Sequence, residues 1–107
     1  MNWIQSMQTA ITYIEKNITN DLNIEKVAES VYSSSANFQR VFSIITGMTI
    51  GDYIRNRRLT LAGQELYKTK DKTINIALKY GYETAESFTK AFLRFHGVTP
   101  SAARKSD

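Results

Sequence analysis

The run Ile76–Arg104, IALKYGYETAESFTKAFLRFHGVTPSAAR, decides the fold. A short apolar helix pattern (Ile74, Ala77, Leu78) runs into Tyr80-Gly81, and Gly81 can take the left-handed backbone that ends a helix and turns the chain. Thr84 then offers a hydroxyl to cap a second helix. That helix carries Phe88, Ala91, Phe92 and Phe95 at the i, i+3, i+4, i+7 spacing of one buried face. Gly97 stops it, and Thr99-Pro100 starts another, with Pro at the first helical position where its missing N–H does no harm. Helix, tight Gly turn, helix is the layout of a helix-turn-helix. The opposite face of the second helix, Ala85, Glu86, Thr89 and Lys90, is small and polar and can approach base edges in a major groove.

Upstream, the pattern occurs a second time. Phe38, Phe42 and Gly47 match Phe88, Phe92 and Gly97 at an offset of fifty residues, Arg40 matches Lys90, and Thr49 matches Thr99. Val27-Ala28 corresponds to Ile76-Ala77, with one residue fewer in the first turn. Before this unit, Ile4, Met7, Ile11, Ile14 and Ile18 form a single-face helix stripe. Asn23 is placed to cap a helix burying Ile24, Val27 and Ala28, and Ser34 to cap the helix holding Phe38, Val41, Phe42 and Ile45.

Between the repeats, Thr49-x-x-Asp52 reads as a capping box that opens a longer helix with the stripe Arg55, Leu59, Ala62, Leu66. Gly63 within it weakens the helix and implies a close packing contact. Thr69 to Lys72 is a polar loop, and Thr73 is expected to cap the next helix. The reading is all-α: one domain over 1–107, with helix-turn-helix subdomains over about 2–47 and 73–105 joined by a connecting helix over about 50–68. Such a helix spans roughly 27 Å at 1.5 Å per residue, the scale of a spacer between two reading heads set about one DNA turn apart.

Composition agrees with this and removes alternatives. The chain has 107 residues, 42% of them apolar, which suits one folded domain. A net charge of +4 favours an anionic partner, nucleic acid first. The absence of cysteine excludes disulfides, a thiol nucleophile and Cys-based metal sites, and is compatible with a reducing cytosol. No apolar run has the length of a membrane span, and Met1-Asn2-Trp3 does not open a signal peptide. No metal site or cofactor is expected, and the expected location is cytoplasmic, at the nucleoid.

The quoted run, preceded by FQRVFSIITGMTIGDYIRNRRLTLA, closely resembles the DNA-binding domain of the AraC/XylS family of bacterial transcription regulators. The resemblance covers almost the whole chain, from about Asn2 to Arg104. It implies a seven-helix domain with two helix-turn-helix subdomains that binds double-stranded promoter DNA, in most members to activate transcription. The base-reading positions it implies are Ala36, Gln39 and Arg40 in the third helix, and Ala85, Glu86, Ser87, Thr89 and Lys90 in the sixth. The opening NWIQSMQTAITYIEKNI resembles members whose DNA-binding domain comes first and is followed by a ligand-sensing domain. Ending soon after Arg104, the chain is expected to be either part of such a regulator or a small one controlled by its abundance.

The sequence departs from the family pattern at three points. Tyr32 replaces a common Gly, which predicts a looser first turn. Ala36 and Ala85 replace long polar side chains and can only pack on a thymine methyl. Leu93 stands in an exposed slot that is often basic, so a phosphate contact is missing there.

On chemistry, Arg40 can hold guanine O6 and N7, Gln39 can pair with adenine, and Thr89 and Lys90 can contact guanine or a phosphate. Glu86 can accept from cytosine or repel phosphates. Helix starts at Ser34, Thr49, Thr84 and Thr99 present N–H groups to phosphates, and Arg57 and Arg58 make the connecting helix basic. Arg55, on the apolar stripe, is read instead as a partner in an internal salt bridge. Phe38, Phe42, Tyr80, Phe88, Phe92 and Phe95 read as core, and His96 as a packing or capping residue. Ile44 and Ile45 exceed what the third helix needs for its core, and one of them can face another domain or RNA polymerase. The alternative class is a protein-interaction module that kept the fold but not the DNA reading. An enzyme is disfavoured, since one His and no Cys leave no acid–base constellation or thiol chemistry.

Overall fold

A computed structural model describes residues 2–105, and every regular element in them is helical. The seven helices are α1 (Trp3–Lys16), α2 (Ile24–Glu29), α3 (Ser35–Thr46), α4 (Ile50–Lys68), α5 (Thr73–Lys79), α6 (Ala85–His96) and α7 (Pro100–Lys105). Met1, Ser106 and Asp107, the outer limits of the expected domain, lie outside the described residues. The chain divides into two compact units whose boundary falls between Ile54 and Arg55, within the 19-residue α4.

In the first unit, Asn2 starts α1 with a capping box: its Oδ1 accepts from Gln5 N at 2.8 Å. The helix buries Met7, Ala10 and Ile14, and Ile18 follows it into the core. Ile4, expected on this stripe, is 72% exposed, because the buried face turns through Ala10 instead. Asn23 caps α2 by accepting from Lys26 N at 2.8 Å. Val27, Ala28, Val31, Phe38, Phe42, Ile50 and Ile54 complete the buried apolar set. Phe42 meets Phe38 at 5.8 Å and the edge of Tyr53 at 5.7 Å between ring centroids.

The turn between α2 and α3 is not loosened by Tyr32. Tyr32 itself takes the left-handed conformation, at φ 57°, where the second unit has Gly81 at φ 90°. The closing hydrogen bonds are alike: Ser33 N donates to Ala28 O at 3.0 Å, and Tyr82 N to Ala77 O at 2.9 Å. A residue with a Cβ costs about 1–2 kcal/mol in that region, so the first turn keeps its geometry under strain.

The second unit packs Leu59, Ala62 and Leu66 of α4 against Ile76, Ala77 and Tyr80 and against Phe88 and Phe92 of α6. Several expected core positions are outside it. Ile74 and Leu78 of α5 are 38% and 55% exposed; the helix buries Ile76 and Ala77, and Tyr80, the residue after it, is buried too. Phe95 near the end of α6 and Ile45 in the last turn of α3 are also partly exposed, and Arg55 is exposed rather than on the buried stripe. Thr73 is the first residue of α5, not its cap. Lys72 holds the cap position without a side-chain bond, while Asp71 Oδ1 accepts from Lys72 N and Asn75 Nδ2 nearby. These two bonds hold the Asp71 carboxyl below its usual pKa.

Two tethers fix the ends of α4 and α6. Arg104 donates through Nε to Leu66 O at 3.0 Å and through Nη2 to Asp71 O, covering a carbonyl in the last turn of α4. His96 lies over Phe92 at 4.2 Å, with Nε2 2.8 Å from Leu59 O. Gly63 makes room for this ring: a Cβ there would stand 3.2 Å from His96 Nε2. The expected close contact at Gly63 is therefore with His96.

Glu65 joins α4 to α5. Tyr80 Oη donates to its Oε1 at 2.6 Å, and Lys79 Nζ donates to the same oxygen. Burial raises the Glu65 pKa, but the hydrogen bonds from Lys79 and Tyr80 and the Lys79 charge outweigh it, leaving the net below the ordinary 4.5. A depressed folded pKa gives stability that is present above the unfolded value and lost as pH falls through the folded one. Acid titration of thermal stability is expected to show a loss setting in below about pH 4.5, and Glu65→Gln is expected to flatten it. An unchanged acid limb in that variant would remove Glu65 as its source.

Candidate nucleic-acid interface

Each unit presents one capped helix with an apolar face inward and a polar face outward. In α3, Ser34 Oγ accepts from Asn37 N at 3.2 Å, Phe38 and Phe42 are fully buried, and Ala36, Gln39 and Arg40 are exposed together. In α6, Thr84 Oγ1 accepts from Ser87 N at 3.0 Å, Phe88 and Phe92 are fully buried, and Ala85, Glu86, Ser87 and Lys90 are exposed, with Thr89 half-buried beside them. Both helices end at a left-handed glycine, Gly47 and Gly97, whose N–H returns to the carbonyl four residues back at 2.8 Å.

The side chains of these faces differ in their freedom. Arg40 Nη2 donates to Asn37 Oδ1 at 2.6 Å, so a neighbour one turn earlier orients the guanidinium. Sequence reading passed over Asn37, although its i, i+3 spacing to Arg40 was visible. Ser87 is occupied: its hydroxyl donates to Thr84 O at 3.1 Å and accepts from Thr84 Oγ1 at 2.9 Å. It acts in the cap as well as standing at a proposed base-reading position.

Of the expected phosphate anchors, Thr49 and Thr99 also cap helices, accepting from Asp52 N at 3.0 Å and Ala102 N at 3.2 Å. Arg57 and Arg58 are half-buried and engaged within the protein. Arg58 would stand 3.4 Å from a Cβ at Gly81, against the turn before α6. Arg94 was not picked out by the sequence reading. It is exposed, one turn beyond Lys90, and shares a cleft with Arg55, Asn56, Leu59, Ala91 and Phe95. Leu93, in the slot that is often basic, is 46% exposed, so Arg94 supplies positive charge beside it. Burial holds the Tyr82 phenol above its ordinary pKa despite the opposing charges of Arg55 and Arg58. Among the described residues no group of His, Asp and Glu could hold a metal ion, and no helix is long and apolar enough to cross a membrane.

Two helix-turn-helix units, each exposing a polar face on its second helix, define a DNA-binding domain. A family model described as a helix-turn-helix domain matches residues 27–106. The chain is 41% identical over 97 residues to the HTH-type transcriptional activator AarP of Providencia stuartii, covering 91% of this chain and 72% of that protein. It is 39% identical over 104 residues to the regulatory protein SoxS of Salmonella typhimurium, covering 97% of each. A solved transcriptional regulator from Chromobacterium violaceum, with an AraC-type DNA-binding domain, matches at a TM-score of 0.90 and 25% identity over 94% of this chain and 90% of its own. The chain belongs to the AraC/XylS family of DNA-binding transcription regulators, and it is a regulator rather than an enzyme.

Proposed function

We propose that this chain reads an asymmetric promoter site with α3 and α6 in successive major-groove segments and activates transcription from it. The observation that carries this reading is the paired exposure of Gln39 with an oriented Arg40 on α3, matched on α6 by an exposed Lys90 beside the half-buried Thr89. Ala36 and Ala85 pack on thymine methyls, and Glu86 discriminates against bases that offer it no donor. Ser34, Thr49, Thr84 and Thr99 bring helix N-termini to phosphates, with Arg57 and Arg58 adding positive charge along α4. The two subdomains and α4 act as one DNA-binding domain, at the nucleoid, with RNA polymerase as the partner of activation. Exposed Ile44 and Ile45, 75% and 52% accessible, suit a protein contact with that enzyme or with an effector-binding domain. AarP is named a transcriptional activator, which supports the sign of regulation.

The test is selection of this chain against a pool of random duplexes, followed by affinity against salt. An enriched site with two unlike elements roughly ten base pairs apart is expected. Salt-sensitive binding without sequence enrichment would overturn the two-headed reading. Arg94→Ala is expected to weaken all duplexes alike and lower the salt slope by about 1; a loss confined to one base position would make Arg94 a base reader instead.

A further inference from the structure

We propose that the notch between α1 and the turn before α3 is a DNA-backbone site, seating one phosphate among neutral donors with its deoxyribose against Tyr32. Trp3, Ser6, Val31, Tyr32, Ser33, Ser34 and Asn37 line it. The donors are convergent and uncommitted. Ser6 is only 6% exposed, yet its hydroxyl has no hydrogen-bond partner among the described residues and opens on the notch. The Trp3 indole N–H is likewise without a partner there, and the ring is 39% exposed. Ser34 Oγ accepts from Asn37 N, which leaves its own proton to donate outward. The 12-residue α3 begins at this edge, with no acidic residue in its first turn, and no acidic residue lines the notch. Donors without a competing carboxylate, at the positive end of a helix, fit an anion.

Tyr32 selects the anion. Its side chain is 93% exposed and its backbone is left-handed, so the residue strains the fold and packs on nothing within it. Gly81 holds the equivalent place in the second unit without that strain. An exposed ring beside donors suits a sugar–phosphate unit, which offers an apolar sugar face next to the charge. Asn37, which lines the notch, is also the acceptor that orients Arg40. When Arg40 reaches a base edge, the strand bounding that groove lies at the start of α3. The assignment thus rests on the DNA-reading role of α3.

Trp3 is the only tryptophan in the chain, so its emission reports on the notch. Titration of the whole chain with the selected duplex is expected to shift that emission, while millimolar inorganic phosphate leaves it unchanged. An equal response to phosphate alone would identify a free-anion site and overturn the backbone assignment, as would no response to duplex. Tyr32→Gly is expected to raise the melting temperature yet weaken every duplex about three- to tenfold, as the loss of a neutral contact does. Because the groups are neutral, the salt slope and base preferences stay the same. Ser6→Ala gives up no internal bond and is expected to fold normally and bind about threefold more weakly. Wild-type affinity in both variants would overturn the proposal. Failure of the α3 reading shows separately, as an Arg40→Ala variant with an unchanged base profile.

Discussion

Arg40→Ala is expected to weaken binding to the selected operator by about 1–3 kcal/mol and to relax preference at a single base pair. A guanidinium held by Asn37 at 2.6 Å is partly oriented before DNA arrives, so less rotamer freedom is lost when it forms a bidentate pair with guanine. Arg40→Lys keeps the charge but not the planar fork, and is expected to retain nonspecific binding while losing most of the discrimination. Affinities for the operator and its variants at that position, measured at one fixed salt concentration, decide the matter. A loss shared equally by all sequences would reassign Arg40 to the backbone.

Phe92→Ala is expected to have the larger effect on folding, about 3–5 kcal/mol. The ring is fully buried, lies 5.5 Å from Phe88 and carries His96 at 4.2 Å. Truncation leaves a cavity and also removes the support under His96. Against a typical total of about 5–15 kcal/mol, such a loss is expected to bring the variant close to unfolding at 37 °C. Denaturant midpoints measure it, and Phe92→Leu, which refills much of the volume, is expected to lose markedly less. Equal losses in the two variants would argue against a cavity as the cause. Phe92 faces away from Lys90 and its neighbours, so the base preference of the molecules that remain folded is expected to be unaltered.

The fold was legible where sequence signals are local. Ser34, Asn23 and Thr84 cap because a short oxygen two or three residues ahead of a helical N–H has few other uses. Gly47, Gly81 and Gly97 mark left-handed turns for the same local reason. Faces of short helices were less legible. The seven residues of α5 carry apolar groups on two sides, and which side is buried depends on partners distant in sequence, here Leu66 and Phe88. Tyr32 hid its left-handed backbone because nothing in a tyrosine announces one. The reading faces were recovered as groups of exposed residues. The order within them was not: the Asn37–Arg40 bond, the engagement of Ser87 by Thr84 and the exposure of Arg94 depend on rotamers and neighbours that spacing does not encode.

The contact of His96 with Gly63 bears on how this regulator can change over generations. Every substitution at Gly63 adds at least a Cβ, and that atom meets a ring that is stacked on Phe92 and close to the Leu59 carbonyl. The imidazole must then give by a few tenths of an ångström, at the expense of its stacking on Phe92 or its approach to the Leu59 carbonyl. A single codon change on the connecting helix, remote from any base, can therefore lower the amount of folded regulator. Lineages that drift at this position would differ in how much active regulator they keep, with every reading residue intact.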